Sequence, residues 1–139
     1  MIILDTNVVS EPMRATASPA VIEWLDAQAS ETLYITAVSV AELLTGIEVL
    51  PTGKRKKELA KALAELMDTL FADRILAFDQ AAAMEYAALT ARARSAGRLI
   101  SMADGMIAAI AASRNFVVAT RDTDPFQAAG LTVIDPWAQ

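Results

Sequence analysis

Four carboxylates stand where apolar runs break off or helical patterns begin. They are Asp5 after "MIIL", Glu42 in "AVSVAELLTG", Asp104 in "SMADGM" and Asp122 in "VVATRDT". The chain contains no His and no Cys. Thiolate nucleophiles, Ser-His-Asp relays and imidazole acid–base pairs are therefore excluded, as are zinc sites built from nitrogen and sulfur ligands. Carboxylates, hydroxyls, Lys/Arg, a metal or a cofactor must carry any chemistry. Two unit charges roughly 4 Å apart repel by about 4 kcal/mol at an effective dielectric near 20, so several acids at one place need protons or a cation to neutralise them. Ligands that are all oxygen select hard divalent cations, Mg²⁺ or Mn²⁺. An ion held there polarises a phosphoryl oxygen and activates water for in-line attack, which is the chemistry of phosphodiester hydrolysis.

Strand and helix patterns alternate along the chain, and they decide whether these acids can meet. "MIILD" reads as a buried strand, followed by a short helix from about Asn7 towards Pro12. Ser18 as N-cap and Pro19 at the first helical position open a helix through "AVIEWLDAQ". "TLYIT" is a second strand, and the helix after it places Val40, Leu43, Leu44 and Ile47 on one core-facing side with Glu42 opposite. A long amphipathic helix follows the turn at Pro51-Thr52-Gly53, then the strand "RILAF" and a helix capped by Asp79 that ends near Gly97. Ser101 opens the next helix, with Asn115 near its end; "FVVAT", a helical turn at "DPFQAAG" and "LTVID" complete the pattern. Strands separated by helices predict a parallel sheet of about five strands, covered on both faces in three α/β/α layers. Ligands of such sheets bind beyond the carboxyl ends of the strands. Asp5, Glu42 and Asp122 follow strands and fall at that edge, whereas Asp104 precedes its strand and reaches it only if "SMAD" begins there.

Each acid also has a local explanation. Asp5 or Asn7 can cap the next helix, Ser101-x-x-Asp104 fits an acidic capping box, Asp122 suits an Asx-turn, and Glu42 can be a solvated side chain. Their common position favours a site over four separate devices.

At 139 residues, 55% apolar and 21% charged, the chain reads as one folded domain over residues 1–139. It has no apolar run long enough to span a membrane and no basic segment ahead of a leader-like stretch, which makes a cytoplasmic location the expectation. The net charge of −5 argues against bulk capture of nucleic acid but leaves room for a local basic patch.

The segments "IILDTNVVSE", "TAVSVAELLTG", "SMADGMIAA" and "VVATRDTDPF" resemble, in order and spacing, the acidic motifs of PIN-domain ribonucleases. The resemblance runs from the first strand to the closing "VIDPW" and looks closest to VapC-type toxins of bacterial toxin–antitoxin pairs, in the FitB-like branch. It implies a PIN-like fold and a Mg²⁺- or Mn²⁺-dependent endoribonuclease neutralised by a cognate antitoxin. Asp5, Glu42, Asp104 and Asp122 would hold the metal, with Thr6 in the catalytic site and Asn7, Thr120 and Asp124 at its outer edge. It further implies a homodimer, with DNA reached only through the antitoxin.

Two other functions compete with this one. A non-enzymatic co-repressor would bind DNA through its antitoxin partner. An aspartyl-phosphate phosphotransferase also places Asp after a first strand, but Asn7 takes the position of its second Asp and no Lys follows the fourth or fifth strand. Three further features remain. The run Lys54-Arg55-Lys56-Lys57 lies at a helix start, where the macrodipole disfavours cations, and reads as a solvated tip or an RNA or partner contact. Arg92, Arg94 and Arg98 suit the end of their helix. Gly46, one turn after Glu42, reads as a close approach of substrate or backbone, or as tight packing.

Overall fold

A computed structural model describes all residues, Met1–Gln139. Five strands, β1 (Ile2–Leu4), β2 (Leu33–Thr36), β3 (Ile75–Leu76), β4 (Val117–Ala119) and β5 (Val133–Ile134), form one parallel sheet in the order β3-β2-β1-β4-β5. The register pairs Ile3 with Tyr34 on one side and with Val118 on the other. From β1 the chain moves outward through β2 to β3, then returns to the other side of β1 as β4. Between β1 and β4 the direction of winding reverses, the place where open parallel sheets leave a crevice for ligands.

Seven helices cover the sheet: α1 (Thr6–Ser10), α2 (Pro19–Asp26), α3 (Ala37–Glu48), α4 (Lys54–Leu66), α5 (Gln80–Ser95), α6 (Met102–Arg114) and α7 (Thr123–Ala128). A 3₁₀ turn at Glu11–Met13 extends α1, and a π-helical turn at Met67–Phe71 ends α4. Alternation along the strands sends side chains to both faces. Ile3 and Val118 join Leu89 of α5, Ile107 and Ile110 of α6 and Phe126 of α7 in one core. Leu4 and Ala119 join Val8 and Val9 of α1, Val21 of α2 and Phe71 in the other. The predicted three-layer architecture and five-strand parallel sheet are therefore present.

Two local expectations differ. Leu44 is 44% exposed, so the apolar side of α3 is wider than the surface this chain covers; Val38 packs on one core and Val40 and Leu43 on the other. Ser18 occupies the N-cap of α2 without a side-chain cap bond. Its backbone N–H instead donates to buried Glu11, 3.0 Å to Oε1, because that carboxylate lies closer to the helix entry than sequence spacing suggests. The caps at Asp79 and Ser101 form as read: each accepts from the backbone N–H three residues on, at 2.9 and 3.2 Å. Asn115 ends α6 with a left-handed φ of 58°, a conformation that Asn tolerates better than most residues.

Candidate metal centre at the sheet edge

Asp5 is both the residue after β1 and the N-cap of α1. Its carboxylate is 6% exposed and accepts from the Thr6 backbone N–H at Oδ1 (2.8 Å) and from the Thr120 hydroxyl at Oδ2 (2.8 Å). Thr120 follows β4, so this second bond spans the β1–β4 crevice. The same hydroxyl oxygen accepts from Asn7 Nδ2 at 3.3 Å and from the Asp122 backbone N–H at 3.1 Å, and Asn7 Oδ1 accepts from the Arg121 N–H at 3.3 Å. One fully buried threonine thus ties three of the predicted site residues together.

Glu42 sits in the second turn of α3, exposed, and Oε1 accepts from the Thr6 hydroxyl at 3.1 Å. Asp104 lies in the first turn of α6. The C-terminal end of α6 feeds β4, so its N-terminal end stands at the carboxyl edge of the parallel sheet, which resolves the one position the sequence left conditional. Asp122 occupies the N-cap of α7 but makes no side-chain cap bond; the Asx-turn explanation does not apply to it.

The carboxyls feel one another's charge. Burial is the largest cause raising the Asp5 carboxyl above its ordinary value; the bonds from Thr120 and Thr6 pull it down, and the charges of Asp104 and Glu42 push it up again. Burial also raises Asp104, opposed by Ser101 and reinforced by Asp122. Repulsion therefore links Glu42, Asp5, Asp104 and Asp122 in sequence. No three of these acids stand close enough together to enclose a cation as they are placed, and no single cavity contains all four. The donor set fits a hard divalent ion in oxygen chemistry and in unneutralised charge, though these acids are spread along the edge rather than closed into a cage.

Asp124 lies beyond this cluster, in the first turn of α7, and lines a cavity with Arg98, Asp122 and Gln127. Two structural contacts near these elements have little trace in the sequence. Buried Glu11 ties Arg14 (3.3 Å to Nη1) to the entry of α2; the spacing Glu11-x-x-Arg14 was its one visible sign. Gly105, beside Asp104, lets α5 approach: a Cβ there would lie 2.9 Å from Tyr86 Cε2, a contact between residues distant in sequence.

Residues 2–131 match the PIN domain model. The chain belongs to the PIN-domain family. It is 51% identical over 137 residues to plasmid stability protein StbB of Pseudomonas syringae pv. tomato, covering 99% of both chains. It is 49% identical to VapC ribonuclease Y4jK of Sinorhizobium fredii, covering 99% of this chain and 98% of that one. Its fold matches a crystal structure of FitAcB from Neisseria gonorrhoeae with a TM-score of 0.95, 45% identity and complete coverage of both chains. FitAB bound to an IR36 DNA fragment matches with a TM-score of 0.94 and 44% identity, over 99% of this chain and 96% of that one. This PIN-domain chain thus groups with proteins named as VapC and Fit toxins and with their toxin–antitoxin complexes.

Proposed function

We propose that this protein is a Mg²⁺- or Mn²⁺-dependent endoribonuclease that serves as the toxin of a toxin–antitoxin pair and is silenced by a cognate antitoxin. The observation that carries the reading is the run of mutually repelling acids at the β1–β4 crevice of a PIN fold. A divalent ion held by Asp5, Glu42, Asp104 and Asp122 would neutralise them, polarise a phosphoryl oxygen and acidify water.

The chain's own residues prepare that site. Thr120 and the Thr6 N–H fix Asp5 in one orientation and favour its charged form. The Thr6 hydroxyl steadies Glu42 across the gap between α1 and α3. The Ser101 cap sets the first turn of α6, and with it Asp104. Glu42 and Asp122 are exposed, so a phosphodiester of a single strand reaches them from solvent. Hydrolysis by water leaves the RNA 2′-OH unused and gives a 5′-phosphate; a 2′,3′-cyclic product would contradict the mechanism. Asp5→Asn and Asp104→Asn should each abolish cleavage in a folded protein, and retained cleavage in both defeats the assignment.

The antitoxin partner is supported by the likeness to FitAcB and FitAB. A second reading, a subunit acting chiefly as a co-repressor, is favoured by FitAB having been solved on DNA. A net charge of −5 gives this chain no bulk attraction for a DNA duplex, so DNA contact falls to the antitoxin. Failure of the purified protein to cut RNA in Mn²⁺ would select that reading. The aspartyl-phosphate alternative has no support, since Asn7 is engaged with Thr120 and Arg121.

A further inference from the structure

Beside the carboxylates, between α1, α3 and α4, lies a cavity of about 330 Å³, within the range that accepts small ligands. Thr6 and Glu42 form its rim, Ile47 and Leu63 belong to its apolar floor, and Arg14 and Arg55 border it. Arg14 is held by Glu11 at 3.3 Å, which leaves Arg55 as the free cation facing Glu42 there. The cavity on the other flank sets Arg98 against two acids, Asp122 and Asp124. In an acidic chain, a free arginine on a partly apolar cavity that touches the candidate centre suits one phosphate of an anionic strand.

Two details argue that the cavity does more than accompany the fold. Arg55 belongs to the basic run in the first turn of α4, against the helix dipole. Lys54 is answered by Glu58 at 3.7 Å and Lys56 donates to the Glu48 carbonyl at 3.0 Å, but Arg55 joins no ion pair in the chain. Gly46 lies inside α3, where Gly costs roughly 1 kcal/mol relative to Ala. A Cβ at this position would meet nothing within 4 Å, so packing does not require the glycine; it leaves the cavity wall open.

We propose that this cavity is a nucleotide subsite for single-stranded RNA. A base lies on the apolar floor at Gly46, Arg55 pairs with the adjoining phosphate beside Arg14, and the next phosphodiester is thereby brought to the carboxylates. The inference rests on the ribonuclease reading and names how that site holds its substrate.

The test compares wild type, Arg55→Gln and Gly46→Leu, purified without a partner. Binding of a fluorescein-labelled mixed-sequence oligoribonucleotide is read by anisotropy in Ca²⁺, a hard cation that screens the acids, over a range of salt. Hydrolysis of bis(p-nitrophenyl) phosphate in Mn²⁺ reports on the centre with no base to fill the subsite. Arg55→Gln should weaken RNA binding about tenfold and reduce the log–log salt slope by about 0.7, the loss of one phosphate contact. Gly46→Leu should weaken binding at least as much while its thermal midpoint holds or rises. Both variants should keep Mn²⁺ binding and small-diester hydrolysis. Wild-type RNA affinity and salt slope in both variants overturn the proposal. Should wild type hydrolyse neither substrate, the ribonuclease reading falls, and the anisotropy arm still decides the cavity.

Discussion

Replacing Thr120 by Val keeps the shape of a fully buried side chain and removes only its oxygen. Three contacts end: the donation to Asp5 Oδ2 at 2.8 Å, and acceptance from Asn7 Nδ2 and the Asp122 N–H at 3.3 and 3.1 Å. A hydrogen bond to a charged group contributes about 1.5–3 kcal/mol, and donors stranded by its loss add to the cost. A total near 2–4 kcal/mol is expected, a drop in thermal midpoint of roughly 6–15 °C for a domain of this size. The deficit should also depend on pH. Thr120 holds the Asp5 carboxyl down; without it the folded-state value rises further above the unfolded one. A raised carboxyl keeps its proton in the native state, and its stabilisation is lost as pH climbs from the ordinary value through the raised one. The deficit of Thr120→Val in chelator should therefore be larger at neutral pH than near pH 4 (an ordinary carboxylate value), and the acid limb of RNA cleavage should move to higher pH. Thermal melts and a pH–rate profile measure both. A deficit below about 0.5 kcal/mol, the level of an ordinary surface change, or one equal at both pH values, refutes the reasoning.

Other expectations follow from the same contacts. Without metal, the raised carboxyls of Asp5 and Asp104 make the fold lose stability as pH rises through their titration; Mn²⁺ at a hundred times the wild-type Kd should restore about 2.7 kcal/mol, a gain that thermal melts should find cut to about 1.4 kcal/mol or less in Asp104→Asn. Ser101→Ala and Asp79→Ala each remove an N-cap worth about 1 kcal/mol, but only the first should also slow RNA cleavage, because only Ser101 sets the turn that carries Asp104. Gly105→Ala pushes a methyl onto Tyr86 and should cost roughly 1–3 kcal/mol by overpacking, with Tyr86→Leu relieving most of it in a double-mutant cycle.

What was legible in the sequence was what short-range chemistry decides. Asp79 and Ser101 cap because each acceptor and its N–H lie within one turn. The strands could be read because their apolar runs fill two cores and need no partner's detail. Asp5, Glu42, Asp104 and Asp122 could be singled out because, although each had a local explanation, the strand and helix pattern brings them to one sheet edge; only the strand order brings β4 beside β1. Contacts between distant segments escaped. The bond from Thr120 to Asp5 spans 115 positions, and the Gly105–Tyr86 approach depends on how α5 packs on α6. The width of the apolar side of α3 was legible, but not how much of it this chain would cover, which is why Leu44 was misplaced.

Mn²⁺ titration of the purified, chelator-treated protein decides whether the four acids hold a cation, with wild type set beside Asp5→Asn, Glu42→Gln, Asp104→Asn and Asp122→Asn. Wild type should bind, with a loss of about tenfold or more in each variant, one ligand charge being worth at least about 1.4 kcal/mol at such a site. Wild-type affinity in all four variants would contradict a site built from these acids.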